Sequence, residues 1–165
     1  MIELAIVMML VGILMIIATN ALLRARMASN EAAAIANLQT INNGQFAYLA
    51  GCGRGYYATS LAILGRPVAG KGEGYVSSGL ATGAQVDRSG YRYSIAPGGG
   101  GAASPPDCEG EATQTKYYAS AVPLSLGSSS SGDRSFATSQ IGAIWALTGG
   151  NPPTEPFGPP AIPAR

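Results

Sequence analysis

The sequence predicts an α+β protein in which one long N-terminal α-helix packs on a small antiparallel β-sheet head. The first fifty residues contain no proline, and their second half repeats apolar side chains at helical spacing. After residue 51, short runs that alternate apolar and polar side chains are separated by Gly-rich turns. A small sheet covering the amphipathic part of a helix buries both apolar faces at once, so this is the simplest architecture.

The first element, residues 1–24, is apolar on all sides. Residues 4–23 carry no charge and, as an α-helix, cover about 30 Å, which is the thickness of the hydrocarbon core of a bilayer. A cleaved secretory signal shows basic residues first, a shorter apolar run and a small-residue cleavage site, and this segment has none of them. We therefore expect a retained membrane helix, or a helix that begins in a membrane and later moves elsewhere.

The second element, residues 25–51, continues the same helix with an apolar face. Several alanines favour the helix, and Gly51 favours its end, so we expect one helix over about residues 2–50. The apolar side chains recur at three- and four-residue steps. They are Ile35, Leu38, Ile41, Phe46 and Leu49.

Glu3 is the one charged residue at the front of the apolar segment. An acid in the first turn of any helix interacts favourably with the helix dipole, by about 0.3–1 kcal/mol. If the segment is later fully buried, however, an unpaired carboxylate costs several kcal/mol. An N-terminal amine is the obvious cation, and a copy displaced along the helix axis would present its amine to Glu3. Glu3 is therefore a candidate for setting the register between copies.

The stretch "MIELAIVMMLVGIL", followed by the Ala-rich amphipathic helix, resembles the N-terminus of type IV pilins and the related pseudopilins. The resemblance implies a pilin-like fold and a Glu3 carboxylate that neutralises the N-terminal amine, here at Met1, of a neighbouring subunit. It also implies a basic leader removed by a prepilin peptidase, methylation of the new N-terminus, a pilus assembly machinery and a core of packed helices. The core residues by this resemblance are Leu4, Ile6, Val7, Leu10, Val11, Gly12, Leu14 and Ile17.

The chain departs from the family pattern in three places. It begins at Met1, where family members usually carry two further residues, and it has Asn20 where the family usually has a helix-kinking proline. Arg24 and Arg26 follow the apolar run, and the positive-inside rule would place that end in the cytoplasm, the reverse of the family topology.

The third element, residues 52–147, is predicted to be the β-sheet head. Its strand-like runs are residues 89–96, 115–124 and 134–147, and residues 61–65 and 74–83 are predicted as short helical or irregular elements. Two cysteines behind a membrane-targeting segment favour one disulfide between Cys52 and Cys108, with two unpaired thiols as the alternative. The disulfide would tie a long loop to the end of the helix and stabilise the head.

The fourth element, residues 148–165, is a Pro-rich tail that we expect to lie extended on the surface. A disordered end is the simplest expectation, and a strap over a neighbouring copy or a carrier of O-linked sugar on Thr154 are alternatives. Ser129 and Ser130, in a Ser-rich loop, are further candidates for O-glycosylation.

Composition argues against catalysis and against nucleic acid as a partner. The chain has no histidine, which removes the commonest general base and metal ligand, and its ten Lys and Arg residues are scattered. The sequence "GRPVAGKG" lacks the hydroxyl residue of a phosphate-binding loop, and "DCEGE" lacks the spacing of a calcium-binding EF-hand loop. We expect no cofactor, no metal and no enzymatic activity.

We therefore expect a structural subunit of an extracellular type IV pilus-like filament. The chain would reside in the inner membrane before assembly and at the cell surface afterwards, with copies of itself as partners. A pseudopilin of a type II secretion or DNA-uptake system is the alternative within the family. A single-pass membrane-anchored binding module is the alternative from another class.

Overall fold

The computed structural model describes residues 2–67, 72–127 and 131–164, with the backbone only for residues 2, 14, 16–18 and 20. Helix α1 spans Ile2–Ala50, as the sequence predicted, and antiparallel sheets follow it, which confirms the α+β class. Within the described residues, no helix is both long and apolar enough to cross a membrane.

The head contains two antiparallel sheets rather than the single sheet that the sequence predicted. The elements are β1 Tyr57–Ala58, α2 Leu61–Leu64, β2 Gln85–Arg88, β3 Tyr91–Pro97, β4 Ala103–Ser104, β5 Thr113–Gln114, β6 Tyr117–Pro123, β7 Arg134–Ser139, β8 Ile144–Thr148 and β9 Ile162–Pro163. The larger sheet has six strands in the order β2-β3-β6-β7-β8-β9, and the smaller has three in the order β1-β5-β4. The four-residue helix α2 and a 3₁₀ turn at Ser78–Leu80 connect β1 to β2.

The core lies between the second half of α1 and one face of the six-stranded sheet. In the sheet register Tyr93 pairs with Ala121, and Ala121 pairs with Phe136, so alternate residues of these strands share the face toward α1. Leu38 and Ile41 of α1 are fully buried against this face. The apolar alternation along the strands is therefore what holds the helix to the head.

Two strand predictions need correction. The run 134–147 is not one strand but the hairpin of β7 and β8, because the chain turns at residues 140–143, where Gly142 adopts a φ of 80°. Strand β2 was not predicted. It has four residues and buries only Val86, so its sequence shows almost no alternation of apolar and polar residues.

The predicted apolar face of α1 was wrong at Phe46. The Phe46 side chain is 42% exposed, and the neighbouring Gln45 is fully buried instead. The Gln45 amide donates to the carbonyl of Ala58 (3.0 Å) and accepts from the Ala58 N–H (2.9 Å). Because both ends of the amide are bonded to the backbone of β1, burying this polar side chain costs little.

The expectation of a disordered tail is also wrong for residues 148–164. Strand β9 pairs with β8 as the outermost strand, a position that tolerates Pro163 because an edge strand can lack one donor. Phe157 stacks on Trp145 (ring centroids 5.8 Å apart) and on Tyr118 (6.3 Å). The Tyr118 hydroxyl donates to the Pro153 carbonyl at 2.6 Å. The tail is thus a strap across its own sheet, fixed by aromatic contacts.

Candidate functional site

The first half of α1 is an apolar surface that the head does not cover. Ten large apolar side chains on it are exposed, from 40% at Val11 to 70% at Met9. A Cβ added at Gly12 would meet nothing within 4 Å. The exposed set is Leu4, Ile6, Val7, Met8, Met9, Leu10, Val11, Ile13, Met15 and Leu22. Soluble monomers rarely expose so large a contiguous apolar surface, which marks a site of interaction with other molecules.

Glu3 is exposed at the start of this surface, and within residues 2–67, 72–127 and 131–164 it makes no ion pair. Met1, the predicted source of the pairing amine, lies outside the described residues. So do the side chains of Leu14 and Ile17, which were predicted as core residues. The structure therefore places Leu4, Ile6, Val7, Leu10, Val11 and Gly12 on one exposed surface with Glu3 at its end.

The second half of α1 is fixed to the head by polar contacts as well as by its apolar face. Glu31 accepts two hydrogen bonds from the Arg134 guanidinium, at 2.6 and 2.9 Å. The buried Asn42 amide donates to Thr138 and accepts from the Tyr117 hydroxyl at 2.8 Å. These partners lie 75 or more residues apart in the chain, so no local sequence pattern could indicate them. They hold one half of the helix in the head and leave the other half outside it.

The predicted disulfide is present and joins Cys52, just after α1, to Cys108 in the loop between β4 and β5. Asp107 reinforces it: one carboxylate oxygen accepts from the Tyr48 hydroxyl at 2.6 Å, and the other accepts from the N–H groups of Glu109 and Glu111, each at 2.8 Å. Burial acts to raise the pKa of Asp107, but these hydrogen bonds outweigh it and hold the pKa below its usual value. The loop is therefore fastened to the C-terminal end of α1 twice.

A cavity of about 330 Å³ lies beside the disulfide, lined mainly by apolar and aromatic groups that include Tyr48, Ile63 and Tyr75. Two of its polar lining groups already have partners, since Asp107 bonds to Tyr48 and Arg66 pairs with Glu111. In the described part of the chain, no cluster of three or more Cys, Asp or Glu residues could hold a metal ion.

The glycosylation candidates are only partly placed by the structure. Thr154 is exposed on the strap, next to the buried Pro153, while Ser129 and Ser130 lie outside the described residues. Arg24 and Arg26, noted in the sequence only for topology, are both exposed where α1 emerges from the head.

No protein-family model, no curated protein and no solved structure matches this chain.

Proposed function

We propose that this chain is a structural, non-catalytic subunit of an extracellular type IV pilus-like filament. The observation that carries the proposal is the exposed apolar half of α1, where ten large apolar side chains are exposed among the residues that the structure describes, against four on the head and its strap (Leu124, Leu126, Ile141 and Ile162). Copies of the same helix are a suitable cover for such a surface, because they are equally apolar.

Covering this surface is strongly favourable relative to leaving it in water, whereas moving it from lipid to a bundle of equally apolar helices changes the hydrophobic free energy little. Burying one exposed Leu, Ile or Met side chain stabilises by about 1.5–3 kcal/mol. The ten exposed side chains are already partly covered by their own helix, so packing copies together contributes on the order of 10 kcal/mol per subunit. The translational and rotational freedom that each subunit loses on association costs a similar free energy, and this cost is offset when each copy contacts several others.

Glu3 gives this otherwise non-directional packing a register. Once buried among apolar helices, its carboxylate needs a cation, since an unpaired buried charge costs several kcal/mol. The N-terminal amine of a neighbouring copy, at or near Met1, satisfies this need, as the resemblance to type IV pilins implies. The same resemblance supports an inner-membrane stage before assembly, processing by a prepilin peptidase and extraction by a pilus assembly machinery.

The proposal is tested by electron microscopy of material sheared from producing cells, with an antibody raised against the head. We expect filaments labelled along their whole length from the unaltered chain. Glu3→Ala is expected to leave the head folded but to reduce sheared filaments by about tenfold or more, because an ion pair worth at least 1.4 kcal/mol is lost. Glu109→Ala, which removes an exposed acid from a loop of the head, is the matched control.

Each alternative gives a different result in the same experiment. Short stacks that stay with the cell envelope would favour the pseudopilin of a secretion or DNA-uptake system. Label confined to the membrane fraction, with Glu3→Ala behaving like the unaltered chain, would favour the anchored binding module and refute the filament.

A further inference from the structure

The exposed apolar segment of α1 is bounded by opposite charges. Glu3 stands at its start, and Arg24 and Arg26 stand at its end. All three side chains are exposed, and none forms an ion pair within the described ranges 2–67, 72–127 and 131–164. Because the segment is negative at its start and positive at its end, the start of one copy is complementary in charge to the end of a second copy that is displaced along the helix axis.

The displacement follows from the length of the helix. Glu3 and Arg24 are separated by about 31 Å along α1, at 1.5 Å per residue. Beyond Arg26 the next charged residue on α1 is Glu31, whose carboxylate is already paired with Arg134 of its own head. Over residues 27–47, the face of α1 that points away from the head is therefore uncharged, which is about the same length as the apolar segment.

This outward face presents a line of exposed side chains along α1. Its exposed residues recur at three- and four-residue steps, and the head packs on the opposite side through Leu38, Ile41 and Gln45. If one copy is displaced by twenty-one residues along the helix axis, a row of large exposed side chains on the first half of its α1 lies against a row of smaller exposed side chains on the second half of the other copy's α1. Leu4, Met8, Val11 and Met15 would lie opposite Ala25, Ser29, Ala32 and Ala36.

We infer that the apolar segment of one copy docks on the outward face of residues 25–47 of a second copy displaced by about 31 Å, with Glu3 at the edge of the contact, level with Arg24 and close to Arg26 of that second copy. The inference rests on the proposed filament and specifies which surfaces of the chain meet in it. Because successive residues turn by about 100°, the two arginines flank the face that begins at Ala25.

This contact has the properties that a growing filament needs. Its two surfaces are different parts of the chain, so each copy can receive the next one and the contact does not close. Charge-assisted hydrogen bonds from arginine fix the register, since a slip of one helical turn moves Glu3 by about 5.4 Å. A carboxylate has room for several hydrogen bonds, so an amine from another, less displaced copy can bind the same Glu3.

The charge pairing is tested by reversal and rescue in producing cells, with sheared filaments measured by immunoblot. Glu3→Arg alone and Arg24→Glu with Arg26→Glu are each expected to lower the yield by about tenfold or more. Combining all three substitutions restores the pairing of position 3 with positions 24 and 26 but not the contact with the amine, so we expect a yield at least about threefold above that of either reversal alone and below that of the unaltered chain. The matched control combines Glu3→Arg with Arg54→Glu, an exposed arginine beyond the end of α1, and we expect no rescue.

The register is tested separately by cysteine cross-linking in intact filaments. Val11→Cys with Ala32→Cys is expected to give a ladder of covalent multimers, from the dimer upward, on mild oxidation. Val11→Cys with Ala36→Cys, on the same face but about one turn further, is expected to give about tenfold fewer, because a disulfide needs Cβ atoms about 4 Å apart. Peptide mass spectrometry distinguishes these bonds from the native Cys52–Cys108 disulfide.

The outcomes separate this inference from the proposed function. Filaments that form normally but show neither rescue nor register-specific cross-links would overturn the docking arrangement and leave the filament intact. Absence of filaments from the unaltered chain would overturn both. Rescue together with the Val11–Ala32 cross-link would establish the arrangement.

Discussion

Removing the disulfide is predicted to destabilise the head strongly. The bond joins residues that are 56 positions apart, and closing a loop of that length in the unfolded chain lowers its conformational entropy. The chain-entropy relation gives about 4 kcal/mol at room temperature for a loop of this size. For a head of this size, the melting temperature of Cys52→Ser with Cys108→Ser should fall by about 10–20 °C.

The assay is equilibrium unfolding in urea of the full chain in mild detergent, followed by the fluorescence of Trp145, the only tryptophan. Trp145 reports on the head because it lies in β8 and stacks on Phe157. The unaltered chain with reductant is the control, and it should match the double variant.

A difference in unfolding free energy below about 1 kcal/mol would refute the entropic reasoning. In that case the contact between Tyr48 and Asp107 would already restrain the loop when the disulfide is absent.

Three further predictions concern the head. Asp107 has a lowered pKa in the folded state, so its contribution to stability is present above its ordinary pKa and is lost as the pH falls through the folded pKa. In Asp107→Asn, the unfolding free energy should therefore fall less between neutral pH and about pH 3 than in the unaltered chain, as measured by urea midpoints. Leu38→Ala should cost about 3 kcal/mol because Leu38 is fully buried, whereas Phe46→Ala on the exposed side should cost less than about 1 kcal/mol in the same unfolding assay. Phe157→Ala should release the strap and make residues after Thr148 sensitive to limited proteolysis, read by mass spectrometry; a tail equally resistant in both proteins would contradict its aromatic anchoring.

The helix was predictable to within a residue at each end because its signals are local. The absence of proline, the alanines and Gly51 act through the backbone of the same turn or the next. The assignment of its buried face was less accurate, because Gln45 and Phe46 exchange roles only once β1 brings the backbone of Ala58 to the helix.

The candidate site was predictable in composition but not in geometry. The uncharged run and Glu3 are visible in the sequence, and so are Arg24 and Arg26. The side of α1 that stays open depends on contacts such as Glu31 with Arg134, whose residues are 103 positions apart. No local pattern encodes a pairing at that distance.

The sequence by itself determined the α+β class, the extent of α1 and the apolar character of its first half. These features depend on composition and on spacings of two to four residues, which local sterics and hydrogen bonding translate directly into structure. The tertiary structure alone decided that the Pro-rich tail becomes the edge strand β9 and that residues 134–147 fold into a hairpin. It also decided which face of residues 25–47 remains free. The physical reason is that these outcomes depend on which distant surfaces meet, and burial is a property of the assembled chain.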